Sequence, residues 1–140
     1  MKSKIRELQI FFQRGELNNA KNLCEEILEN NNINDAQVYN IYAYILYKLN
    51  NFELSIENWN KSLKIDSNLI DPYKGLANIF LKLEKFEEAI KNFDQLIKIN
   101  PNFGEAYHGK AFALMQISKF DESINNFKIA NKINPNNPDI

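Results

Sequence analysis

From Gln37 onward, apolar residues recur at the i, i+3, i+4, i+7 spacing of one helix face. Tyr73, Leu76, Ala77 and Phe80 form one such stripe in "IDPYKGLANIFLK", and Phe86, Ala89, Ile90, Phe93, Leu96 and Ile97 form another in "KFEEAIKNFDQLIKI". A short polar turn, "LEK", separates the two. "LNN" and "ISK" stand at the matching places elsewhere. Asn100-Pro101 and Asn134-Pro135 close second helices, because proline disfavours the helical conformation in the residue before it. Ser67 takes the place of that proline one unit earlier, so a less strictly fixed turn is expected there.

The pairs repeat. "KFEEAIKNFDQLIKINPN" from Lys85 and "KFDESINNFKIANKINPN" from Lys119 lie 34 residues apart and agree at 11 of 18 positions. Phe52, Phe86 and Phe120 keep the same spacing, as do Trp59, Phe93 and Phe127; Tyr39, Tyr73 and Tyr107; Ala43, Ala77 and Ala111; and Ile65, Ile99 and Ile133. "GELNNAKNLCEEIL" continues the pattern backwards through Gly15, Leu17, Ala20 and Cys24, with one extra residue in the Asn-rich stretch that follows. Its first helix fits two registers one residue apart. A helical hairpin cannot bury its apolar face alone, and about three or more must stack for stability. The small pairs Ala43/Ser55, Ala77/Ala89 and Ala111/Ser123 let the helices of a unit approach closely, and the rings fill the space between units. Each buried ring contributes roughly 1.5–3 kcal/mol.

This chain resembles the tetratricopeptide repeat family. The third copy carries the family pattern as Tyr73, Leu76, Ala77, Phe80, Ala89, Phe93 and Pro101, and the fourth as Tyr107, Ala111, Leu114, Ser123, Phe127, Ala130 and Pro135. The resemblance implies an all-α fold: a right-handed α-solenoid of antiparallel helix pairs, as one array over residues 1–140 with repeats near 1–35, 36–69, 70–103 and 104–137. Pentatricopeptide repeats, which read single-stranded RNA, have a 35-residue period; the period of 34 across copies two to four separates the chain from them.

Composition narrows the function. Net charge is −1 at pH 7, so there is no basic field to hold nucleic acid. No apolar run approaches the roughly 20 residues of a membrane span, and the N-terminus lacks a signal-peptide pattern; a cytoplasmic location is expected. One cysteine forms no internal disulfide. Cys24 and His108 lie 84 residues apart and supply no metal-ligand cluster. Cys24 sits in an aromatic core column and reads as a small buried residue. His108 is the one candidate base, on an exposed-facing position of a first helix. Gly75 and Gly109 share a first-helix column outside any loop; close backbone packing explains them better than a widened groove. Glu87/Glu88 and Asp121/Glu122 begin second helices, where the helix dipole favours carboxylates. No catalytic residue, metal or cofactor is expected, and the chain reads as a non-enzyme.

In the family, first helices line a concave groove that holds peptides. The resemblance carries this to Asn40, Tyr44, Tyr47 and Lys48, to Lys74, Asn78 and Leu81, and to His108, Phe112 and Met115. Gln9 and Phe12 join under one register of the first helix. Rings among amides and lysines suit binding better than a merely solvated face, and Asn40 and Asn78 offer hydrogen bonds to an extended peptide backbone. The five-residue carboxylate clamp of chaperone-binding members is incomplete, because Lys74 and Asn78 match but Gly109 stands where the next asparagine is needed. The expected function is an adaptor for a protein or peptide partner, with neither nucleic acid nor membrane as ligand. A second reading makes the chain the recruiting region of a larger glycosyl- or sulfotransferase-like enzyme. Asn131, in the column of Leu63 and Ile97, suggests an array end, and self-association through the C-terminal repeat is a further expectation.

Overall fold

The computed structural model describes residues 2–30 and 34–135, which form eight helices. These are α1 (Lys2–Gln13), α2 (Leu17–Glu29), α3 (Ala36–Lys48), α4 (Phe52–Ile65), α5 (Ile70–Lys82), α6 (Phe86–Ile99), α7 (Gly104–Gln116) and α8 (Phe120–Ile133). They fall into two compact units, Met1–Pro72 and Tyr73–Ile140. In the first, α1 packs on α2, α2 on α3 and α3 on α4. In the second, α6 packs on α7 and α7 on α8, while α5 joins the core of α6 and α7 through Ala77, Ala89, Phe93, Leu96 and Ala106.

Every hairpin turn is built the same way. Asn50, Glu84 and Ser118 adopt left-handed backbone at φ 64°, 56° and 63°, and Gly15 does so at 71°. In each, the left-handed residue and its successor donate N–H bonds back to the preceding helix. Asn50 donates to the Tyr47 carbonyl (3.0 Å) and Asn51 to that of Leu46 (2.8 Å). Gly15 and Glu16 donate likewise to Phe12 (3.1 Å) and Phe11 (3.0 Å). This pair of bonds satisfies carbonyls that the helix end would otherwise leave orphaned. It also settles the register of α1: Phe12 stands in the column of Tyr47, Leu81 and Met115, and Gln9 in that of Tyr44, Asn78 and Phe112. Only Gly15 adopts this conformation without a Cβ penalty. Glu84→Gly is therefore expected to raise stability by about 0.5–1 kcal/mol, read from the urea midpoint; an unchanged or lower midpoint would count against a strained turn.

The joints between repeats correct one expectation. With Ser67 in place of proline, the turn keeps the backbone conformation and the Asx bond of its counterpart. Asp66 has φ −140° and ψ 102°, and Asn100 has φ −138° and ψ 98°. In both, the side-chain oxygen accepts from the N–H two residues on, that of Asn68 (3.0 Å) or Asn102 (3.1 Å). The Asx bond holds the joint, so proline is dispensable.

Within hairpins the small columns bring backbones together. Ser55 Oγ donates to the Ala43 carbonyl (2.6 Å) and Ser123 Oγ to that of Ala111 (2.7 Å), both buried. Between neighbouring hairpins, side-chain sizes are matched in two opposite ways. Phe93, 6% exposed, lies against Gly109, where an added Cβ would come within 2.3 Å of the ring. At the α2–α3 junction, two repeats earlier in the same two columns, stand Cys24, fully buried, and Ile41, which packs against the same buried cluster. Large-on-none in one junction becomes small-on-large in the other, as close packing of the interior requires.

Candidate functional site

The first helices present polar and aromatic side chains away from these cores. In the second unit α5, α6 and α7 enclose a cleft of about 370 Å³. Phe93 and Leu96 reach its floor from α6; Phe103 and Phe112 add rings. Phe93 is there because of Gly109: with no side chain at that position, the tip of the α6 ring reaches the α7 backbone, and the ring lines the cleft. Lys74 and Asn78 of α5 and Glu105 and His108 of α7 supply the polar groups. Lys74 Nζ lies 3.6 Å from Glu105 Oε2 and 5.5 Å from the Phe103 ring centroid. The ion pair is exposed, so it orients the lysine more than it stabilises the fold. Phe112 is 41% exposed and meets Phe86 in a T-shaped contact at 6.5 Å, so part of its ring stays open to solvent. The His108 ring is half-buried, 5.4 Å from that of Phe127, rather than on the freely exposed face expected from the sequence.

Five of the sequence-selected residues thus meet in one cleft: Lys74, Asn78, Leu81, His108 and Phe112. Met115 is 40% exposed but does not line it. Sequence reading missed Phe93, Leu96 and Phe103 as lining residues. The available signal was Gly109 facing an aromatic column.

The remaining four, Asn40, Tyr44, Tyr47 and Lys48, belong to the first unit, where Tyr44 and Tyr47 join a ladder of rings. Phe12 meets Tyr44 edge-on at 5.2 Å, Tyr44 lies 6.4 Å from Tyr47, and Tyr47 lies 5.8 Å from Phe52 and 5.9 Å from Trp59. Lys48 Nζ sits 5.3 Å from the Tyr44 centroid, within cation–π range. Asn40 differs from expectation. Its Oδ1 accepts from Trp59 Nε1 at 2.8 Å, so its carbonyl is committed to the core and only its amide N–H groups face outward duty.

Among the described residues two groups are strongly perturbed, and neither is in the cleft. Burial, helped by the Glu25 carboxylate, pushes the Cys24 thiol up to about 12. Burial also raises the Tyr42 phenol to about 12, with Glu25 again adding to the effect; the Tyr42 hydroxyl donates to Glu25 Oε1 at 3.3 Å. A thiol held protonated is inert as a nucleophile. Among the described residues no group of three or more His, Cys, Asp or Glu side chains is placed to hold a metal ion, and no helix is long and apolar enough to cross a membrane.

Residues 70–103 match the tetratricopeptide repeat profile, and residues 43–84 match a second profile of TPR repeats. The chain is a tetratricopeptide repeat protein. Its eight helices fit about four repeats. No curated protein matches it in sequence. Among solved structures it is similar to a MamA fragment (residues 41 to the end) from Desulfovibrio magneticus RS-1, with TM-score 0.86, 18% identity, and coverage of 96% of this chain and 75% of that one. It is similar to YrrB, a TPR protein described as having an unusual peptide-binding site, with TM-score 0.83, 13% identity, and coverage of 92% and 66%. A tetratricopeptide repeat protein from Parabacteroides merdae ATCC 43184 gives TM-score 0.88, 15% identity, and coverage of 99% and 55%. At such identities the likeness is one of fold, and that fold is an all-α solenoid.

Proposed function

We propose that this tetratricopeptide repeat protein is a non-enzymatic interaction scaffold that holds an extended segment of a partner protein in the α5–α7 cleft. One observation carries the reading: apolar rings and convergent polar groups share one cleft of peptide-side-chain size. Phe112 offers its exposed ring as an anchor, and the Phe93–Phe103 floor takes an apolar side chain out of water. Asn78 is exposed and has both a donor and an acceptor for a peptide backbone. The peptide-binding description of YrrB, a protein of the same fold, supports the same kind of ligand. In the first unit, Tyr44 with Lys48 above it offers a second anchor of similar chemistry.

Panning a random peptide display library on the immobilised chain, then titrating the recovered peptides by calorimetry, tests this. Phe112→Ala is expected to weaken cleft binders by about 30-fold or more, as truncation of a central aromatic anchor does. Tyr44→Ala is expected to weaken any peptide that spans the first unit. Both variants should keep the parent's helical circular dichroism. Binders that ignore both changes would sink the assignment.

A further inference from the structure

Two helix faces carry matched reversals of charge. The internal α6–α7 junction shows what each face is built to meet. There Phe86 meets Phe112 at 6.5 Å, Phe93 lies against Gly109, and Lys110 Nζ binds Asp94 Oδ1 at 2.6 Å. The outer face of α8 repeats the α6 face 34 residues on, as Phe120, Ile124, Phe127 and Lys128. Phe86 and Ile90 are half-buried under α7, whereas Phe120 is 57% and Ile124 52% exposed. The position of Asp94 has become Lys128, so the helix that suits this face carries an acid where α7 carries Lys110.

α1 has that acid. The turn register places Glu7 in the column of Lys110 and exposed Ile10 in the column of Ala113. Ser3, Arg6, Glu7 and Ile10 are all exposed, on the face where α7 is covered by α6. Arg14, just past the end of α1, would come to the same end of the contact as Asp121 at the start of α8, because Phe112 near the end of α7 meets Phe86 at the start of α6. Both ionic pairings are thus reversed or created together.

We propose that copies of this chain associate head to tail, with the α1 face of one copy seated on the α8 face of the next. Ile10 enters between Phe120 and Ile124, and Glu7 pairs with Lys128. Arg6 replaces the glycine of the internal junction, so Phe127 does not seat on the helix backbone; the guanidinium lies over its ring instead. The contact is looser than the internal one and therefore reversible. The two faces are different surfaces, so the contact is heterologous and does not close by two-fold symmetry. It does not involve the cleft.

Sedimentation velocity over a concentration series on the full 140-residue chain tests it. The average mass is expected to rise past the dimer and to fall back with added salt. Lys128→Glu and Glu7→Lys should each weaken association by about tenfold or more, as expected for close charge pairs across an interface. An equimolar mixture of the two variants should restore it, since Lys at 7 then faces Glu at 128. Phe112→Ala should leave association unchanged, which separates this contact from peptide binding. A monomer at every concentration, a species that stops at a dimer through α8 alone, single reversals without effect, or a mixture that fails to associate would each overturn the proposal.

Discussion

Phe93→Ala is expected to lower the unfolding free energy by about 3–5 kcal/mol, a large share of the stability of a domain this size. The ring is 6% exposed, lies among Ala77, Ala89, Leu96 and Ala106, and rests on the backbone of Gly109. Its small neighbours cannot expand to fill the void, so cavity and transfer costs add. The reciprocal change, Gly109→Ala, places a Cβ 2.3–2.9 Å from three ring atoms. The ring tip must shift, and swinging into the neighbouring cleft would uncover apolar surface that is now only 6% exposed. Helix propensity gains roughly 1 kcal/mol, overpacking costs about 1–3 kcal/mol, and a net loss is expected. In the double variant the alanine at 109 occupies space the ring has left, so the combined loss should fall below the sum of the two. Urea unfolding of the four proteins measures this coupling. Strict additivity would show that the ring and the glycine are not in contact.

The second large effect concerns alkaline pH. Cys24 and Tyr42 are both neutral acids in the fold, raised to about 12 from ordinary values near 9 and 10. Between those values the unfolded chain has released its protons while the native chain holds them, so stability falls as pH rises. The contribution is fully present below pH 9 and is lost progressively toward pH 12. Each titrating group adds a slope on the order of 1.4 kcal/mol per pH unit. Melting followed by circular dichroism from pH 8 upward should show the decline. Tyr42→Phe and Cys24→Ala should each flatten it while lowering the plateau near neutrality. An alkaline slope unchanged in both variants would place the titration elsewhere.

The helices were legible because a repeat states its core several times over. Columns such as Phe52, Phe86 and Phe120 fix the phase of each helix without tertiary information. The left-handed turns were harder to read. Gly15 declares one, but Asn50, Glu84 and Ser118 carry side chains and conceal the same geometry. The joint at Ser67 misled for a related reason: proline is conspicuous, while the Asp66 oxygen that fixes the turn looks like any surface carboxylate. Lys74, Asn78, Leu81, His108 and Phe112 come to one cleft because successive first helices expose the same columns. Phe93 was legible as core but not as cleft floor, since that depends on a missing side chain in another helix. The commitment of the Asn40 carbonyl to Trp59 joins residues 19 positions apart, in different helices and different columns.

The opposed side-chain sizes at the two junctions bear on how the chain finds its fold. Nearly identical second helices invite mispairing, in which a hairpin docks on the wrong neighbour and is trapped. Were α3 to dock on α6, Ile41 would arrive where only the bare backbone of Gly109 fits against Phe93. Were α7 to dock on α2, Gly109 would face Cys24 and leave a hole where Ile41 belongs. Each of these two wrong pairings is rejected, by overlap in one direction and by a void in the other, so the α2–α3 and α6–α7 partners are not interchangeable even though the chain repeats its sentences.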